Sequence, residues 1–141
     1  MMHTTDKLAE LIRRKYQVLV QLREAAARQA EYIGCGDIGS LLTLLAVKQQ
    51  LISALQALEQ DLKPFYADDP DQRVWQSSQL RASCADTAAQ CSALLEEIVE
   101  REKQAAEQMA VRRDEVARQL QQAHSARQVR SAYEAHKLAG S

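Results

Sequence analysis

The sequence predicts an all-α protein: an antiparallel helical hairpin plus a long third helix, forming an elongated three-helix, coiled-coil-like bundle. Three observations predict it. Only four glycines and two prolines punctuate the chain, so little breaks a helix. Apolar residues recur at spacings of three, four and seven over most of the length. No alternating run of Val, Ile, Thr and aromatic residues marks a strand. A chain of 141 residues suits a single domain with a modest core.

The first helix is expected over about residues 5–33. Thr4, Thr5 and Asp6 supply side-chain oxygens for the orphan amides of a first turn. Leu8, Leu11, Ile12, Leu19, Leu22, Ala26 and Ile33 then form one apolar stripe, with Arg13, Arg14, Arg23, Glu24 and Arg28 on the other face. The second helix is expected over about 37–63, capped by Asp37. It carries two apolar stripes. One reads Ile38, Leu41, Leu45, Ile52, Leu55, Leu62; the other reads Leu44, Val47, Leu51, Leu58. A helix apolar on two faces is packed on two sides, which makes it the middle element. Lys63-Pro64 is expected to end it, because proline lacks an N–H and restricts the residue before it.

Between the first two helices lies Gly34-Cys35-Gly36-Asp37-Ile38-Gly39, formally a G-x-G-x-x-G pattern. A dinucleotide fingerprint needs a strand before it and a helix after it. Here a helix precedes, so the glycines read as a helix–turn–helix connection. Gly34 or Gly36 takes the left-handed position that ends the first helix. So short a connection lays the two helices antiparallel.

Residues 64–77 form the expected linker, with the only Phe, the only Trp and the acidic run Asp68, Asp69, Asp71. The aspartates lack the alternating ligands, glycine and closing glutamate of a calcium loop, and read as a solvated segment. Val74 and Trp75 are expected to fold back and plug one end of the bundle, with Phe65. The third helix is expected over about 78–135, one long element free of Gly and Pro. Its stripe reads Cys84, Ala88, Cys91, Leu95, Ile98, Ala105, Met109, interrupted by Glu102.

Candidate chemistry is sparse. Cys35, Cys84 and Cys91 form no CxxC pair, and read as free thiols of a reducing cytoplasm. Cys84 and Cys91 suit a bundle seam; His124 and His136 lie many turns away, so no metal is expected. No convergent set of Ser, His, Asp or Cys suggests catalysis, so neither an enzyme nor a cofactor is expected. The net charge of −1 gives no field for nucleic acid. The start lacks a secretory h-region, and no uninterrupted apolar run of membrane-spanning length occurs, so membrane insertion is not expected.

The end of the third helix is more informative. Residues 78–110 carry three basic and six acidic side chains. Residues 111–141 carry six basic (Arg112, Arg113, Arg118, Arg127, Arg130, Lys137) and three acidic (Asp114, Glu115, Glu134). A second helix of about 27 residues covers only the first half of the third, leaving about 25 to 30 residues beyond it at the same rise per residue. Their stripe, Met109, Val116, Leu120, Ala123, Val129 and Tyr133, therefore needs a partner, a second copy or a fold-back. It is poor in Phe and Trp, which argues against an interfacial membrane helix.

Gly36-Asp37, Leu41, Leu45, Lys48, Leu51, Leu55, Leu58 and Glu59 carry a resemblance. The segment GDIGSLLTLLAVKQQLISALQALEQ is similar to the second helix of the FlgN-type flagellar export chaperones. There a long first helix precedes a GD turn, and the next helix has a central lysine and closes on a leucine–glutamate pair. The resemblance implies a non-enzymatic cytoplasmic chaperone of type III secretion. Its clients would be the hook–filament junction proteins (FlgK- and FlgL-like), held by their C-terminal amphipathic helices and brought to the export apparatus. It places the client site on the C-terminal helix, at Met109, Val116, Leu120, Ala123, Val129 and Tyr133. The alternative reading is a structural or adaptor coiled-coil protein that forms a homodimer through the same helix.

Overall fold

A computed structural model describes residues 4–139 and is all-α. Its elements are α1 (Thr4–Cys35), α2 (Ile38–Ala67), a 3-10 turn (Pro70–Gln72) and α3 (Ser78–Ala139), with no strand among the described residues. The chain comprises two compact units, one ending at Ala105 and one beginning at Ala106, and α3 contributes to both.

The glycine-rich connection is a helix stop. Gly36 takes the left-handed conformation, φ 74°, the one positive φ among the described residues. Its N–H donates to the Ile33 carbonyl at 3.3 Å, and the Asp37 N–H to that of Tyr32 at 3.0 Å. This pair of bonds closes a Schellman motif and satisfies two orphan carbonyls. Asp37 caps α2 by accepting from the Ser40 N–H at 3.1 Å; hydrogen bonding to the Ser40 side chain first, and to this N–H second, holds its carboxyl below the usual range. Gly34 stays within α1 and Gly39 sits in the first turn of α2.

Pro64 does not end α2, which runs on to Ala67. Proline forfeits one ladder bond, but Phe65 follows Leu62 at helical spacing and both are buried. Asp68 closes the helix, its N–H donating to the Phe65 carbonyl at 3.3 Å. The linker is correspondingly shorter than 64–77. It holds the 3-10 turn, capped by Asp69 accepting from the Asp71 N–H at 3.0 Å.

In the first unit the three helices share one core. Leu8, Leu11, Ile12, Leu19 and Leu22 of α1 meet Leu58, Leu62 and Phe65 of α2 and Cys84, Cys91, Leu94 and Ile98 of α3. Ile33, Leu41 and Ala105 form a smaller cluster near the turn. Direction follows from which residues meet. Lys15 pairs with Glu59 at 2.6 Å, and Ile33 packs with Leu41, so α1 and α2 are antiparallel. The Cys91 thiol lies 3.8 Å from the Ile12 carbonyl and Ala105 joins Ile33, so this part of α3 is parallel to α1.

The buried positions of α3 correct one expectation. Leu94, 7% exposed, faces the core, whereas Leu95 is 42% exposed. Cys91, Leu94 and Ile98 keep three–four spacing; Leu95 is one residue off the seam. The linker is a partial correction as well. Phe65 is buried and Trp75 half-buried against the main cluster, but the Val74 side chain is exposed. What holds Val74 is its backbone, whose carbonyl accepts from the Thr5 hydroxyl at 2.8 Å.

Glu102, the break in the apolar stripe, has a partner. The Lys48 ammonium donates to Glu102 Oε1 and to Gln29 Oε1, both at 2.6 Å. Lys48 is only 8% exposed, and Gln29 is buried. A buried ammonium without acceptors costs several kcal/mol. One residue from each helix therefore meets at this point, and sliding one of them by a turn costs the ammonium at least one of its two acceptors. A buried polar contact of this kind favours one register of the bundle over slid alternatives.

Candidate functional site

The six residues expected to bind a partner all lie on the α3 segment from Ala106 onward, apart from any core. Met109, Val116, Leu120, Val129 and Tyr133 are exposed large apolar side chains, with Leu120 at 66%, and Ala123 is exposed too. Every described residue from Val111 to Ala139 is exposed. The segment holds its helix through local features. Alanine, arginine and glutamine are good helix formers. Arg118 pairs with Glu115 at 2.6 Å, and Gln119 donates to the same carboxylate at 3.3 Å.

Helix geometry divides the six. At about 100° per residue, Met109, Val116, Leu120 and Ala123 fall within an arc of about 60°. Tyr133 lies about 100° round from Val116, and Val129 about 140° round in the same direction. The stripe in its tight form is thus the segment 109–123. Sequence spacing joins the later two through Ala126, because each step of three residues drifts the stripe by about 60° and two such steps in a row carry it off the face.

Two other surfaces of the molecule stand out. Where the linker meets the start of α1, a cavity of about 360 Å³ is lined by Thr5, Leu8, Phe65, Asp69, Arg73 and Val74, among others. Arg73 donates through Nη2 to the Phe65 carbonyl, while its buried Nε has no protein partner. Its polar lining, Thr4, Thr5, Asp68, Asp69, Gln72 and Arg73, holds no histidine, cysteine or lysine. Among the described residues no cluster of His, Cys, Asp and Glu is arranged to hold a metal. Cys84 and Cys91 are buried free thiols, and burial pushes both thiol pKa values up; Cys35 is exposed.

The second surface is the outer side of α2, where Ile38, Leu42, Leu45 and Val47 are exposed. From Ile38 to Leu58 the one charged residue is Lys48, and it is buried. By length and composition alone α2 is long and apolar enough to cross a membrane, although no uninterrupted apolar run marks it. In this fold it packs on α1 instead. Sequence reasoning missed Leu42, which belongs to neither predicted stripe; it follows Ile38 by four residues and precedes Leu45 by three, which is the available signal.

No family model, curated protein or solved structure matches this chain. The functional reading therefore rests on the residues themselves.

Among those residues the segment from Ala106 differs from both other surfaces. It joins apolar exposure to strong charge. Among the described residues, Arg112, Arg127, Arg130 and Lys137 make no ion pair, and Arg113 reaches only its neighbour Asp114, at 3.6 Å. Exposed pairs of that kind are worth little, which leaves these cations available.

Proposed function

We propose that this protein is a flagellar type III secretion chaperone that holds hook–filament junction proteins (FlgK- and FlgL-like) in the cytoplasm. It binds their C-terminal amphipathic helices, prevents premature assembly and delivers them to the export apparatus. The observation that carries the reading is the exposed apolar face of α3 at Met109, Val116, Leu120 and Ala123. The resemblance of residues 36–59 to the FlgN-type second helix, central lysine included, says which kind of partner to try first.

The physics is helix-in-groove recognition. A client helix lays its apolar anchors on the exposed face, and both surfaces leave water together. No covalent step is needed, and release is simple dissociation. The segment needs no folding cost on binding beyond fixing side chains, because it is already helical.

Calorimetry with FlgK- and FlgL-like C-terminal segments, alongside light scattering for mass, tests this directly. The expected result is a one-to-one complex that Leu120→Asp abolishes while the thermal melt stays unchanged. Absence of binding together with a tight homodimer would instead favour a structural or adaptor coiled coil that self-associates through α3.

A further inference from the structure

The charges beside the apolar arc are not spread evenly. At about 100° per residue, Arg127 lies inside the arc of Met109, Val116, Leu120 and Ala123, and Arg112, Arg113 and Arg130 lie within about 20° of its edges. Lys137 follows within about 40°. The acidic residues fall elsewhere: Glu107, Asp114 and Glu115 sit at least about 80° from the arc, and Glu134 alone lies on it. Over 109–123 this side of the helix is thus apolar with Arg112 and Arg113 at its borders; Arg127 and then Glu134 follow on the same line, with Arg130 at its edge, all of it exposed.

From this arrangement we infer that the occupant of the face is an acidic amphipathic helix, with an apolar stripe bordered by Asp and Glu. The inference rests on reading the segment as a partner-binding helix and adds the partner's charge. An arginine fork at the edge of an apolar contact pairs with a carboxylate in two parallel hydrogen bonds, partly shielded from solvent by the contact itself.

The same pattern opposes pairing with a second copy. In an antiparallel pair centred on Leu120, Arg113 of one chain meets Arg127 of the other, since both lie seven residues from the centre. In a parallel, in-register pair each arginine meets itself. Both arrangements set like charges opposite each other. A membrane is a poorer fit than a helix. The arc offers Met109, Val116, Leu120, Ala123 and, farther on, Leu138, and neither Trp nor Phe to anchor in the headgroup region. Nucleic acid would leave the apolar centre of the face against water or phosphate.

The test uses the full chain and two synthetic helices sharing one apolar stripe at i, i+3, i+4 and i+7, one bordered by Glu and one by Lys. Fluorescence anisotropy is read at low and high salt. Vesicles of phosphatidylglycerol and a duplex DNA are the competing probes. The expected result is binding of the Glu-bordered helix about tenfold tighter or more than its Lys-bordered twin, weakening as salt rises. The double variant Arg113→Glu/Arg127→Glu, checked for unchanged helicity by circular dichroism, should reverse the preference. Equal binding of the two helices overturns the inference, as does binding only to the vesicles or the DNA. A FlgK- or FlgL-like segment that binds wild type and double variant alike sinks the charge inference and leaves the chaperone reading standing. The Glu-bordered helix binding where those segments do not has the opposite meaning.

Discussion

Ile98 and Val116 are both branched aliphatic residues on α3, yet Ile98 is 8% exposed and Val116 50%. Up to Ala105, α3 places Cys84, Cys91, Leu94, Ile98 and Ala105 in clusters shared with α1 and α2. From Val111 to Ala139 every described residue is exposed, and the helix is no less regular. The difference separates two causes that a helical sequence confuses. Propensity and local pairs make a helix; periodic apolar residues make a contact. The first part of α3 has both kinds of residue and its contact. The second has both kinds of residue and an open face.

Substitutions sharpen this contrast. Leu19 is fully buried in α1, and Leu19→Ala should cost about 2–5 kcal/mol by denaturant unfolding, through lost transfer energy and the cavity left behind. Val116→Ala, deleting a similar side chain from the open face, should change stability by less than about 0.5 kcal/mol. Comparable costs at the two sites would mean that the open face is covered in solution.

The Lys48 node gives a smaller effect with a distinctive pattern. Glu102→Ala should destabilise by about 1–3 kcal/mol, because it leaves an ammonium short of an acceptor while the partly exposed glutamate position admits some water. Lys48→Met should cost less, since a thioether needs no partner. The double variant should then resemble Lys48→Met alone. Additive losses would show that the two side chains act independently and that the node does not set register.

The smallest effects are read from ionisation. Burial raises the Cys84 and Cys91 thiols. Burial lowers the Lys15 ammonium, but Glu59 and Tyr66 more than offset it, leaving it raised. For all three groups the unfolded chain loses its proton first. The stability they support is complete below the unfolded pKa values, about 8.5 for Cys and 10.4 for Lys, and is lost as pH rises through the folded ones. Unfolding measured across the alkaline range should therefore show declining stability. In the same samples at neutral pH, Cys35 should react first with a thiol reagent, and Cys84 and Cys91 only on unfolding.

Much of the fold could be read from residues alone, for definite reasons. The α1 stripe from Leu8 to Ile33 is buried throughout, because one amphipathic face meets one core. Gly36 and Asp37 mark the turn because only a left-handed residue followed by a cap joins two helices so briefly. Long-range polar partners were harder to read. Glu102 looked like a defect in its stripe, and nothing in its neighbourhood points to Lys48, which is 54 residues away. Pro64 misled because a local rule was overridden by burial of Phe65. In α2, two apolar stripes implied two covered sides, whereas Ile38, Leu45 and Val47 are exposed. The open face of α3 was legible as a stripe at 109–123, and so was the departure of Val129, which sits about 140° round from Val116 and joins the stripe only if steps of three through Ala126 are followed.

The most direct test of the account is amide hydrogen exchange over residues 106–139, read with and without a FlgK- or FlgL-like C-terminal segment. Exposed helix of this kind exchanges readily, and a bound client helix slows it. The account predicts weak protection in the free protein, and a gain on client addition that centres on 109–123 and disappears in Leu120→Asp. Strong protection already present without client, rising with protein concentration, would contradict it and assign the face to a second copy of the chain.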